Sequence, residues 1–324
     1  MPVSYSRMTA IGSYVPERIL TNKDLEAMVD TSDEWIVQRT GIRERRISTA
    51  EQFTSHLCIE AVRNMADRWG TPLDDVEMII VSTSTPDYTF PNTASRVQAH
   101  LGIPSAGTMD LSAACAGFVY GLHIANGLIT SGLHRKVLVI GADTLSKITD
   151  YTDRTTCILF GDAAGAVMVE RDDSGGAFLA HHFETDGTGG RLLYRNGLSA
   201  EWDEKKDSAF IVQNGREVYR FAVQSVPSGI RKLLEAAGDD PHSIDWFIPH
   251  SANMRIIDSL CEKNGHNSGA HLEQSGIQRK HFRRLHPART GPGREGRHCE
   301  SRRPPAGVRF RRRIDAWGVI ARWG

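Results

Sequence analysis

Disulfide patterning is missing from this sequence. Its 324 residues include five cysteines, at 58, 115, 157, 261 and 299, and no C-x-x-C pair. An odd, scattered set of thiols argues against a disulfide-stapled secreted scaffold and fits a reducing cytoplasm. Net charge is missing too: 39 Lys and Arg balance 39 Asp and Glu. The balance therefore gives no pull toward nucleic acid or an anionic membrane. No apolar run approaches the roughly 20 residues that a bilayer span requires. The opening MPVSYSRMTAIGSYVPERIL lacks a basic segment followed by an apolar stretch, so no secretory signal is expected. The histidines lack ligand spacing with Cys or carboxylates, so no metal site is expected.

What remains is a chain with 40% hydrophobic residues, long enough for a large core in one domain or in two fused halves. Phe53, Leu57, Ile59, Val62 and Met65 recur roughly at helical spacing over 53–69. VEMIIVSTST (76–85) and KVLVIGADTL (136–145) are apolar runs that suit strands buried on both faces. NTASRVQAHLG (92–102) predicts a helix closed by glycine. Residues 108–132 start extended and become a small-residue helix stopped at Gly132, and CILFGDAAGAVMVER (157–171) suggests two short strands around a Gly/Ala bend. Residues 215–238 are amphipathic and helical, IDWFIPH (244–250) is a strand, and 251–265 is a helix capped by Ser251 and ended at Gly265. Strands alternating with helices predict an α/β fold with largely parallel strands, any linker falling near 172–200.

Cys115 falls where a strand turns into a small-residue helix. The positive end of a helix dipole favours thiolate there, and the small residues Ala113, Ala114, Ala116 and Gly117 leave room for a substrate. The plain alternative is a small buried cysteine. His250 ends a strand just before a helix, where α/β proteins place their sites, though a lone histidine there is often structural. Asn253 follows and can be a capping residue. A cysteine and a histidine at two such junctions fit a nucleophile–base pair. TSDEWIVQRTGIRERR (31–46) sets Trp35 beside Arg39, Arg43, Arg45 and Arg46, a group that can stack an adenine and hold phosphates or form an ordinary solvated face. Asp153–Arg154 reads as a surface ion pair or a further phosphate contact. FGDAAGA (160–166) reads as close backbone packing.

In this order, TSDEWIVQRTGIRERR, SAACAGFVYGL, DRTTCILFGDAAGAVMV, NGREVYRFAV and DWFIPHSANMRIID resemble the signature blocks of β-ketoacyl-acyl-carrier-protein synthase III, from about residue 8 to 264. The resemblance implies a thiolase-like fold: two similar halves in a five-layered αβαβα arrangement, in a homodimer. It implies residues 1–172 as the half carrying the nucleophile and 173–264 as the start of the half carrying the histidine. It implies a decarboxylative Claisen condensation of an acyl-CoA primer, typically acetyl-CoA, with malonyl-acyl-carrier protein, and no permanently bound cofactor. By the same match, Cys115 accepts the acyl group and His250 donates to an oxyanion. Thr31, Trp35, Arg39 and Arg154 hold CoA, and Arg255 meets the carrier protein. Ser251 stands where glutamine is usual. Two alternatives stay open: a related condensing enzyme with another primer or acceptor, and an impaired relative that only pairs with partners.

The resemblance stops before the end. The family continues with a G-N-T-S block, whose Asn is a second oxyanion donor, and closes on F-G-G-G-L-T. Residues 265–324 form a deviant tail instead, and 271–315 carry thirteen Lys/Arg against four Asp/Glu. Read one base later, permitted codons for Ile277 through Pro287 can give Tyr-Ser-Gly-Asn-Ile-Ser-Ala-Ala-Ser-Ile-Pro. The same step through Arg309 to Ala316 permits Gly-Phe-Gly-Gly-Gly-Leu-Thr, and WGVIARWG (317–324) is family-like in the present frame. A frameshift near 264–266, compensated near 315, is therefore expected. With the tail as written, the C-terminal part should be incomplete or disordered, without its final strands.

Overall fold

The computed structural model describes residues 4–199, 201–202, 209–238, 246–250, 253–263, 310–315 and 318–323. Its first sheet contains β1 (Ser6–Tyr14), β4 (Met78–Ser82), β5 (Gly107–Leu111), β6 (Lys136–Thr144) and β7 (Asp162–Arg171), in the order β1-β7-β6-β4-β5. The second contains β8 (Phe178–His181), β11 (Trp246–Ile248), β12 (Phe310–Asp315) and β13 (Val319–Trp323), in the order β11-β12-β13-β8. Two hairpin-like pairs complete the strands: β2 (Ile19–Thr21) with β3 (Glu44–Arg46), and β9 (Leu193–Tyr194) with β10 (Val212–Gln213).

Seven helices surround these sheets among the described residues: α1 (Asn22–Glu26), α2 (Asp33–Thr40), α3 (Thr54–Trp69), α4 (Thr93–Leu101), α5 (Gly117–Thr130), α6 (Gly215–Ala237) and α7 (Met254–Lys263). Side-chain alternation explains the layering. Every residue of β4 is buried. Ile79 and Val81 pack toward Leu57, Val62 and Met65 of α3, while Met78 and Ile80 pack toward Val119, Leu122 and Ile129 of α5. A strand covered on both faces needs a continuous apolar run, and MIIVS supplies it. The cluster around α5 also takes in Phe178, Val319 and Ala321 of the second sheet, so α5 lies between the sheets. Ala180 and Ile320 on the outer side meet Val226, Ile230 and Leu233 of α6. The result is five layers, helix–sheet–helix–sheet–helix.

Helix ends follow the local chemistry. Asn92 accepts the Ser95 N–H at the start of α4, Asn214 accepts the Glu217 N–H at the start of α6, and Gly102 and Gly238 close those helices at positive φ. α7 starts later than 251. Asn253 accepts the Arg255 N–H there, while the expected cap Ser251 and stop Gly265 lie outside the described residues.

Three expectations need correction. The first sheet is mixed: β4, β5 and β6 run parallel, but β1 and β7 are antiparallel to their neighbours. No α-helix lies between β6 and β7, and a parallel return would need a crossover of that kind. Residues 157–160 form no strand. Asp153 binds Thr155 and Thr156 in a turn, and Cys157 and Ile158 are buried against Leu25 and Ile36. The tail does contribute final strands, because β12 and β13 join the second sheet. β13 opens on an apolar run whose Val319, Ile320 and Ala321 are all in the core.

Candidate active site

β5 ends at Leu111, and the chain then turns sharply into α5. Ala114 has φ +45°, an uncommon conformation for a residue with a Cβ. Such a conformation persists only where the surroundings enforce it, and it clusters at functional turns. The enforcing contact is close by. A Cβ on Gly117 would collide with Ser82 Oγ, so only glycine lets the start of α5 sit against the end of β4. Cys115 rides on the short 3-10 turn Ala114–Ala116 between these points and is exposed.

His250 lies two residues beyond β11, after the buried Pro249. It comes from the second sheet, and its imidazole hydrogen-bonds the Cys115 thiol. Although Cys115 keeps an exposed surface, the protein packed around its turn desolvates the thiol; this largest influence pushes its pKa up, with the Asp143 charge acting in the same direction. The His250 hydrogen bond and charge, with a backbone hydrogen bond at Cys115, pull it down and prevail, so the thiol sits below its ordinary value. Cys58 shows the contrast. It is fully buried on α3 with no such donor, and burial pushes its thiol well up.

A second group lies on α2. The Trp35 ring has the Arg154 guanidinium 5.1 Å from its centroid and that of Arg39 at 5.6 Å. Arg154 also reaches Asp30 at 3.4 Å, so its ion-pair partner is Asp30, while Asp153 is taken up in its own turn. Thr31 Oγ1, four residues before Trp35, is buried without a hydrogen-bond partner. Buried hydroxyls are normally satisfied, and this one has capacity to spare. Arg45 is excluded from any ligand role. It is buried, donates to Ile158 O and Asn22 Oδ1, and desolvation pushes it down to about 10. Gly161 sits against the backbone of Arg46, the close packing expected of the Gly/Ala run. Arg255 is exposed on α7, over the ring of Tyr219 at 5.7 Å.

Two acidic residues were not legible as site elements. Asp162 accepts from the N–H and hydroxyl of both Ser48 and Ser146, which ties β7 to the loops around it. A lone Asp in a Gly/Ala run was its signal. Asp143 stands inside an apolar strand run, where only its charge stood out. Among the described residues, no group of three or more His, Cys, Asp or Glu could hold a metal, and no helix is long and apolar enough to cross a membrane.

Five such layers, with a thiol and an imidazole brought together from the carboxyl ends of strands in two different sheets, define a thiolase-like condensing-enzyme fold. The 3-oxoacyl-[acyl-carrier-protein] synthase III family profile matches residues 109–187. β-Ketoacyl-[acyl-carrier-protein] synthase III 2 of Bacillus subtilis is 59% identical over 263 residues, covering 81% of each chain. The synthase III of Xanthomonas axonopodis is 45% identical over 80% of each chain. Among solved structures, the synthase III of Thermus thermophilus matches with a TM-score of 0.76 at 44% identity, covering 80% of this chain and 81% of the other. This chain belongs to the β-ketoacyl-acyl-carrier-protein synthase III family.

Proposed function

We propose that the chain carries out the initiating condensation of type II fatty-acid synthesis, with acyl-CoA and malonyl-acyl-carrier protein as substrates. The observation that carries this reading is the Cys115–His250 hydrogen bond between two strand ends. The Cys115 thiolate attacks the primer's thioester carbonyl, the C–S bond to CoA breaks, and CoA leaves as the thiolate, which takes a proton from water. Malonyl-acyl-carrier protein then loses CO₂. The electron pair of the broken C–C bond becomes an enolate, which attacks the Cys115 thioester. The 3-ketoacyl chain stays on the carrier and Cys115 returns as thiolate. Covalent catalysis divides the reaction into two steps that one nucleophile can serve. His250 donates to the enolate oxygen, and such a donor is worth about 10² to 10³ in rate. His250→Ala should lose condensation by about that factor. It should also move the Cys115 alkylation midpoint to higher pH, because the hydrogen bond that favours thiolate is gone. Iodoacetamide rates against pH measure this.

Trp35, Arg39, Arg154 and Thr31 are proposed to hold CoA, the adenine stacking on the indole and the guanidinium groups meeting phosphates. Trp35→Ala should raise KM for acetyl-CoA about tenfold, within the 1–3 kcal/mol typical of base stacking, with kcat little changed. Initial rates at varied acetyl-CoA measure the split. Arg255, exposed on α7, is proposed to meet the acidic carrier protein. Homodimer formation has support in β5, an edge strand whose residues are partly exposed where those of β4 are wholly buried. The division into 1–172 and 173–264 is likewise proposed. It has support in the first sheet, which draws only on residues 6–171. The cytoplasm is proposed as its location.

The frameshift reading gains a physical support. β12 lies between β11 and β13, next to neighbours as buried as Ile320 and Ala321, yet it reads Phe-Arg-Arg-Arg-Ile-Asp. Strands paired on both edges in such sheets read as apolar runs, and the one-base-later Phe-Gly-Gly-Gly-Leu-Thr carries no charge. We propose that the tail as written leaves the active site without its second oxyanion donor.

Incubation with acetyl-CoA and malonyl-acyl-carrier protein, with the product identified by mass, tests the function. Acetoacetyl-carrier protein is expected. Acylated Cys115 without any condensed product would favour the impaired reading.

A further inference from the structure

The segment that carries Cys115 is held at both ends by the end of β4. The Thr83 N–H donates to Leu111 O at 3.2 Å, where β5 stops, and Ser82 abuts Gly117, where α5 starts. The residues that follow Ser82 are in turn gripped from β6, on the opposite side of β4. Thr83 Oγ1 at 3.1 Å, the Ser84 N–H at 2.7 Å and Thr85 Oγ1 at 3.1 Å all donate to one oxygen, Oδ1 of Asp143. Thr85 Oγ1 also accepts the Thr144 N–H at 2.8 Å, and Thr54 on α3 reaches the Thr85 hydroxyl at 3.0 Å. One carboxylate oxygen therefore collects a whole turn.

We infer that Asp143 is a positioning residue for Cys115: its carboxylate clamps the Thr83–Thr85 turn, which holds the Leu111 end of the 111–117 segment directly and the Gly117 end through the adjoining Ser82. A strained Ala114 within that segment needs such a frame, since its conformation survives only where its surroundings over-determine it. Small errors in nucleophile placement cost about 10²-fold in rate. Charge supports the same geometry. Burial raises Asp143 chiefly by desolvation against these donors, and its negative charge reaches Cys115. The other titratable groups facing this region are His250, which favours the thiolate, and Cys58, which itself feels Asp87, Asp110 and Asp143.

This inference rests on the proposed acyl transfer, and two readouts separate their failures. Acetylation of wild-type Cys115 tests the function, whereas alkylation of the Cys115 peptide by iodoacetamide tests the placement of the thiol whether or not acetylation occurs. Asp143→Asn keeps an oxygen acceptor for the three donors and removes the charge. Asp143→Ala removes both. Asp143→Asn is expected to alkylate with a lower pH midpoint than wild type. Asp143→Ala is expected to show a higher midpoint than Asp143→Asn, because the displaced thiol loses His250, and to acetylate about tenfold more slowly than Asp143→Asn. Identical midpoints and rates in the two variants would overturn the clamp. Should Asp143→Ala fail to melt cooperatively, the double variant Thr83→Val, Thr85→Val decides, since it removes two donors and leaves the carboxylate. Slowed acylation there supports the clamp, and a wild-type rate and profile overturns it.

Discussion

Cys115→Ala should abolish acyl transfer, with a loss of condensation of about 10³-fold or more. The magnitude follows from the chemistry. Without the sulfur there is no covalent intermediate, and the carbanion meets no activated acyl group on the protein. Cys58 and Cys157 cannot substitute, because both are buried and burial raises both thiols. The substitution removes little packing, since Cys115 is exposed on its turn, so the melting temperature should hardly move. A sharper expectation separates the two halves of the mechanism. Loss of CO₂ from malonyl-carrier protein needs stabilisation of the enolate by His250, not the thiol. Cys115→Ala should therefore still release CO₂ from malonyl-carrier protein, and His250→Ala should lose that activity. Release of CO₂ and formation of acetoacetyl-carrier protein, followed side by side in both variants, check the pair.

Replacing residues 265–315 by their one-base-later reading should give the second large effect. Condensation is expected to rise about 10² to 10³-fold, the worth of one oxyanion donor. The melting temperature should rise as well, because the one-base-later reading replaces the three arginines of β12, a strand paired on both edges, with uncharged residues. Thermal melts and condensation rates on the two purified chains measure both. Equal activity and stability would mean that the tail as written already completes the site.

Much of the fold could be read from short-range chemistry. The continuous apolar runs became β4 and β6 because both faces of that sheet are covered, and Asn92 with Gly102 bracketed α4 because capping is local. The antiparallel returns of β1 and β7 were hidden, since strand direction depends on connections that run through turns with no periodic signal. The 157–160 segment misled for a related reason: its apolar residues are buried by the α1–α2 region rather than by strand neighbours. At the site, Cys115 and His250 stood at strand-to-helix junctions, but only the fold brings residues 135 positions apart into one hydrogen bond. The Trp35 pair with Arg39 was readable at helical spacing, whereas Asp30 as the partner of Arg154 was not, because 124 residues separate them. Asp143 was invisible as a clamp because its three donors lie on the turn that follows a neighbouring strand.

The most direct test is to expose the purified full chain to acetyl-CoA alone, digest it, and weigh the Cys115 peptide. One acetyl group on that peptide, removed by hydroxylamine and absent from Cys115→Ala, is the predicted result. An unmodified Cys115 peptide, in a preparation of verified mass whose thiol still reacts with iodoacetamide, would contradict acyl transfer through this sulfur.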